Sequence, residues 1–141
     1  MEIAIIADDK KKELMVEFCI AYCRILSMHH LCATGKTAKY ITEATGLPVE
    51  SLLAGGLGGT EQIASRVFYN EIDLLITFRD TKPETYCNRE DMDMLRMCDI
   101  YNIPVATNIA TAEVLVRALE NGDLDWRELV NPRSELNAKN N

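Results

Sequence analysis

A chain of 141 residues has the length of one domain, and 48% apolar content lets it bury a core without staples. The formal charge of −7 and pI near 4.8 exclude nucleic acid and anionic membranes as main partners, because both require a basic surface. The five cysteines are an odd number without framework spacing, no signal peptide follows Met1, and no apolar run nears the roughly 18 residues that span a bilayer. Reduced thiols, no membrane partner and a cytoplasmic location are therefore expected.

The chain opens on Ile3-Ala4-Ile5-Ile6-Ala7, a β-branched apolar run that suits a strand buried on both faces of a parallel sheet. Asp8-Asp9 then reads as the cap of one amphipathic helix running to about Leu26, with Leu14, Met15, Phe18, Cys19, Tyr22, Ile25 and Leu26 at helical spacing. Cys19 and Cys23, followed by His29-His30, lack the usual spacing of a zinc site; they read as small core residues, and no metal is expected.

Leu31-Cys32-Ala33 leads into Thr34-Gly35-Lys36-Thr37 and then the helical run Ala38 to Ala44, so hydroxyls and free N–H groups gather at a helix start, where negative charge is favoured. A second turn, Gly55 to Thr60, follows Val49 to Leu53 and precedes a helix from Glu61 to Tyr69, and its glycines let backbone approach a ligand with no Cβ in the way. Neither turn is a standard nucleotide motif: His30 stands where a P-loop needs glycine, and Glu61 where a dinucleotide fingerprint needs glycine or alanine. Two anion-ready turns suggest a phosphate ester held between them, although helix caps and tight turns use the same residues with no ligand.

Ile72 to Phe78 is another buried strand, ending in Arg79-Asp80 at a carboxyl end, where open α/β sheets bind ligands. Thr81 to Arg89 reads as loop, Met92 to Tyr101 as a helix with Met94, Leu95 and Cys98 inward, Ile103 to Asn108 as a last strand, and Thr111 to Leu119 as a helix. Such alternation predicts an α/β fold, a parallel sheet wrapped on both sides. Residues 1–122 are expected to form the domain, and 123–141 a tail pinned by Trp126 and disordered from Asn137 to Asn141.

Ala33-Thr34-Gly35, Ala44-Thr45-Gly46-Leu47, Gly58-Gly59, Gln62, Phe78-Arg79-Asp80 and above all Tyr101-Asn102-Ile103-Pro104-Val105-Ala106-Thr107-Asn108 resemble the methylglyoxal synthase family nearly end to end. The resemblance implies a three-layer α/β/α sandwich with a five-stranded, mostly parallel sheet, a homohexamer, and a site for dihydroxyacetone phosphate. Its reaction abstracts a proton to form an ene-diolate and then expels phosphate, with no metal or organic cofactor. Lys12, Thr34, Gly35, Thr37 and Gly55 stand at the family's phosphate-contacting positions, with Lys36 in place of a threonine and Ala54 in place of a serine.

The positions the resemblance marks as catalytic depart further. Thr60 holds the place of the aspartate base, Asp8 and Cys87 replace histidines, Glu90 replaces an aspartate, and Asp9 and Asp80 are kept. An uncharged hydroxyl cannot take a carbon-bound proton at neutral pH. The expectation is a methylglyoxal-synthase-like protein that binds a small phosphorylated metabolite or inorganic phosphate with weak or no conversion to methylglyoxal. The alternatives are an active synthase with Glu61 as a rewired base, aided by Arg79, Lys36 or Cys87, and a different reaction on a small phosphorylated compound.

Overall fold

Successive residues of a strand point to opposite faces, so a run apolar at every position needs a cover on each side. The computed structural model, which describes residues 1–86 and 88–139, provides both covers. Strands β1 (Glu2–Ala7), β2 (His30–Thr34), β3 (Val49–Leu52), β4 (Leu74–Phe78) and β5 (Val105–Ala106) form one sheet in the order β3-β2-β1-β4-β5, every pairing parallel. From β1, Ile3, Ile5 and Ala7 join a core with Met15 and Phe18 of α1 (Lys12–Ala21), Ile25 of α2 (Cys23–Leu26), Ile41 of α3 (Gly35–Thr45) and Val116 of α6 (Ile109–Glu120). Ala4 and Ile6 turn the other way, onto Ile63 and Val67 of α4 (Gly59–Phe68) and Met94 and Cys98 of α5 (Arg89–Tyr101). The expected three-layer α/β/α sandwich is therefore present, with a sheet wholly parallel.

The two covers also fix where a ligand can sit. The chain steps from β1 to β2 to β3 over one face, then crosses to the far side of β1 and continues through β4 and β5 over the other face. Connections leaving in opposite directions open a crevice at the carboxyl ends of β1 and its neighbours.

Four local expectations change. The first helix does not start on an Asp8 side-chain cap: Asp8 accepts the Asp80 N–H at 2.7 Å instead, residues Asp9–Lys11 form a 3-10 turn, and α1 begins at Lys12. It also breaks at Tyr22 (φ −112°, ψ 24°), in a stretch whose aromatic and thiol side chains are weak helix formers, giving α1 and the short α2. The last strand is only Val105–Ala106, because Pro104 has no N–H to pair and Asn108 caps α6 by accepting the Thr111 N–H at 3.0 Å.

The fourth change concerns the tail. Trp126 is 41% exposed, whereas its neighbour Arg127 is fully buried and does the pinning. The Arg127 guanidinium donates to Asp73 Oδ1 at 3.1 Å, Asn70 Oδ1 at 2.8 Å and the Ile72 carbonyl at 2.8 Å, so it holds α7 (Arg127–Val130) to the loop before β4. A fork of fixed donors can satisfy several oxygens at once, which an indole cannot. Asn137 lies in a further turn, α8 (Glu135–Ala138), and donates to the Asn131 carbonyl at 2.7 Å; Asn140 and Asn141 lie outside the described residues. Among the described residues no helix is long and apolar enough to cross a membrane.

Candidate functional site

At the carboxyl end of the sheet a cleft of about 340 Å³ opens between the two glycine-rich turns. One wall is the end of β1 and the turn after it, Ile6 to Asp9 with Lys12; the other is Ala54, Gly55 and Thr60, and Thr34 and Lys36 also line the space. Of the residues the sequence singled out, the cleft thus gathers Asp8, Asp9, Lys12, Thr34, Lys36, Gly55 and Thr60.

The start of α3 carries the strongest signs of a site for an anion. Thr34 is its N-cap residue and 6% exposed, yet its hydroxyl caps nothing and has no hydrogen-bond partner among the described residues. One turn on, the buried Thr37 Oγ1 is likewise without a partner, although Thr37 itself is not on the cleft wall. The free Thr34 hydroxyl lines the cleft and can donate to a ligand there, whereas Thr37 Oγ1 is sealed from solvent and off the cleft wall. First-turn N–H groups have no carbonyl four residues back and add positive potential there. The Gly35 N–H donates to the Leu53 carbonyl at 3.3 Å and so ties the two turns together.

The glycines of the second turn divide by cause. Gly58 has φ 106°, a left-handed conformation, and a Cβ on Gly59 would lie 1.9 Å from the Leu53 carbonyl oxygen. Those two are demanded by the fold. A Cβ on Gly55 would meet only Thr60 Oγ1, at 3.7 Å, so chain packing does not require that glycine. Gln62, part of the same motif, accepts the Leu53 N–H at 2.9 Å and serves the turn.

The cations are unequally available. Lys12 Nζ donates to the Ala7 carbonyl at 2.6 Å and lies 3.2 Å from Asp9 Oδ1, while no ion pair engages the exposed Lys36 among the described residues. The Lys12 ammonium bonded to Asp9, with Lys36 adding to it, holds the Asp9 carboxyl below its ordinary range. Asp80 is outside the cleft lining; it gives its N–H to Asp8 and faces Lys10 at 3.8 Å.

Other expected site residues are not brought in. Gly35 joins the walls without lining the space, and Glu61 and Glu90 line a separate hollow of about 250 Å³ with Phe68 and Asp93, which shares only Thr60 with the cleft. Arg79, expected to meet ligand, is 7% exposed and paired with Asp91, at the start of α5. Its Nε and Nη2 have no partner among the described residues, and neither residue lines the cleft. Cys87 lies outside the described residues. Sequence reasoning missed Ile6 and Ala7, whose only signal was their place at the end of the strand beside the crevice. No three His, Cys, Asp or Glu among the described residues gather as around a metal ion. Cys19 is buried in the core, which pushes its thiol up to about 12.

The MGS-like domain family model matches residues 14–107. A methylglyoxal synthase of Caldicellulosiruptor saccharolyticus is 56% identical over 137 residues, covering 97% of both chains. This chain belongs to the methylglyoxal synthase family. A second methylglyoxal synthase, from Listeria welshimeri, is 50% identical over 129 residues, or 92% of this chain and 96% of the relative. The crystal structure of methylglyoxal synthase from Elizabethkingia anophelis superposes with a TM-score of 0.72 at 33% identity, over 82% of this chain and 76% of the other. Within a methylglyoxal synthase fold, the cleft described above occupies the crevice where β1 parts its neighbours.

Proposed function

We propose that this member of the family binds a small phosphorylated ligand, dihydroxyacetone phosphate or inorganic phosphate, with weak or no conversion to methylglyoxal. The observation that carries this reading is the side chain beside Gly55: Thr60 lines the cleft where the family's chemistry calls for a base, and the neighbouring carboxylate, Glu61, lines a different hollow. Successive helical residues point about a hundred degrees apart, and a misplacement of about 1 Å already costs on the order of a hundredfold, so Glu61 is a poor substitute. In the ligand's grip Lys12, Lys36, the Thr34 hydroxyl and the open backbone at Gly55 hold phosphate oxygens. No metal or organic cofactor is assigned a role, and the protein acts in the cytoplasm as a homohexamer.

The test has two readouts. Saturating dihydroxyacetone phosphate or phosphate raises the melting temperature; at a hundred times Kd the linkage is about 2.7 kcal/mol, several degrees for a chain of this size. Thr34→Val with Lys12→Ala abolishes that shift and leaves the protein folded. Methylglyoxal formation is very weak, since loss of a general base commonly costs about 10²–10⁴-fold. Thr60→Asp with Cys87→His raises it by more than the two single changes combined, because both groups act on one transition state. Unchanged melting in millimolar phosphate and triose phosphate would sink the binding reading. The identity of 56% to a relative named for the activity favours one second reading, an active synthase. A wild-type rate of ordinary size, lost on Glu61→Gln, would establish it.

A further inference from the structure

Thr60 lines the cleft and is half-buried, and its hydroxyl has no hydrogen-bond partner among the described residues. Its Oγ1 lies 3.7 Å from the point that a Cβ on Gly55 would occupy, so it stands beside the open backbone of the second turn. From the first turn, Thr34 Cγ2 lies 3.0 Å from the point that a Cβ on Gly59 would occupy, which packs Thr34 against the residue before Thr60. The Thr34 hydroxyl is free as well, on a residue only 6% exposed. Thr34 is the N-cap of α3 and Thr60 the second residue of α4, so both hydroxyls belong to helix starts, where negative charge is favoured. The neighbourhood of Thr60 is thus the neighbourhood of the phosphate grip.

A hydroxyl at this place differs from a carboxylate in two ways. It can donate to an oxygen of the ligand, whereas an ionised carboxylate only accepts. It is also neutral. The charged groups that line the cleft are Asp8, Asp9, Lys12 and Lys36, whose formal charges sum to zero, so a third carboxylate would leave the lining negative before a phosphate dianion entered. A hydroxyl on the ligand can donate to either side chain, so the difference between them rests on the donor and the charge. Resting on the phosphate reading above, we infer that Thr60 is a ligand-holding residue: its hydroxyl donates to the bound phosphate ester, and its neutrality lets the cleft hold that ester more tightly than a carboxylate there would allow. The residue that withholds a base from the chemistry thereby strengthens the grip, which suits a protein that retains its ligand.

Titration calorimetry of the full chain with dihydroxyacetone phosphate and inorganic phosphate, at low and at high salt, tests this. Thr60→Ser keeps the hydroxyl and binds dihydroxyacetone phosphate within about twofold of the wild type, while Thr60→Val keeps the shape, loses the donor and binds about tenfold more weakly, as loss of a hydrogen bond to a charged group does. Thr60→Asn and Thr60→Asp match each other in size and differ in charge. The aspartate variant binds both probes about tenfold more weakly than the asparagine variant at low salt, and the gap narrows as salt screens it. A side chain that only shaped the turn would give no such salt-dependent gap. Circular dichroism checks that each variant is folded, and should Thr60→Val not be, Thr60→Ala gives the same comparison. Binding by the valine or alanine variant as tight as wild type overturns the inference, and so does an aspartate variant as tight as its asparagine match. If the wild type binds the probes and these variants do not differ, only the inference falls; if the wild type binds neither probe, the phosphate reading falls with it.

Discussion

Lys12 is held from inside the protein at two points, the Ala7 carbonyl and Asp9, so an incoming phosphate competes with a carboxylate already in place. Asp9→Asn removes the competitor and leaves Lys12 pointing into the cleft. Phosphate should then bind roughly two- to fivefold tighter by titration calorimetry, the range set by exposed ion pairs; weaker binding would mean that Asp9 itself serves the ligand. The thiols make a second prediction at this scale. Burial pushes Cys19 and Cys98 up to about 12 and Cys32 to about 11, so at pH 8 the thiolate that reacts is almost absent. Mass spectrometry after alkylation of the folded protein should find those three unmodified and half-exposed Cys23 modified; labelling of Cys19 before unfolding would contradict the buried-core reading. What could be read from sequence here was residue type, and what could not was pairing. The contrast of Thr60 with Glu61 needed no structure to notice. Arg79 looked like a ligand group because its partner, Asp91, lies across a loop on a helix whose approach no local pattern encodes.

At the scale of elements, the buried strands were legible because a run such as Ile3 to Ala7 is apolar at every position, which few other structures tolerate. Their ends were not. Whether Asp8 caps a helix depends on a competing N–H at Asp80, 72 residues away, and whether the tail is pinned by Trp126 or Arg127 depends on oxygens from Asn70 to Asp73. Two substitutions separate chain geometry from ligand contact. Gly59→Ala drives a methyl into the Leu53 carbonyl and should cost about 1–3 kcal/mol or more in urea unfolding, as overpacking does. Ala at Gly55, where a Cβ has 3.7 Å to Thr60 Oγ1, should leave stability nearly unchanged and weaken phosphate binding instead. Equal stability losses at the two positions would remove the distinction drawn between them. In the tail, Arg127→Met strands Asp73 without its buried partner. A loss of about 3–5 kcal/mol is expected, against little change for Trp126→Phe.

For the whole molecule, parallel strands with helices on both faces followed from the alternation of patterns, and the crevice beside β1 followed from the strand order that only the fold supplies. Assembly is a separate matter, since a chain can share a fold and still differ in its contacts. For the proposed homohexamer, one candidate contact is the outer surface of the α4–α5 layer. Phe68, Tyr69, Met92 and Ile100 are 43%, 69%, 59% and 52% exposed there, and Tyr101 Oη ties the two helix ends together by donating to the Phe68 carbonyl at 3.1 Å. Asn70 reaches the Val130 carbonyl at 3.3 Å, which brings the tail, with Leu129 at 67% exposure, to the same end of the layer. A contiguous apolar patch there would suit a contact surface, which the substitutions below test. On the family resemblance alone, light scattering at micromolar concentration should give about six times the chain's 15.9 kDa. Tyr69→Glu with Ile100→Glu places charge in that surface, away from the cleft. The pair should lower the mass while circular dichroism and phosphate binding by each chain are retained. A clean monomer for the wild type would remove the assembly, and a hexamer indifferent to both charges would move its interface to another face of the sandwich.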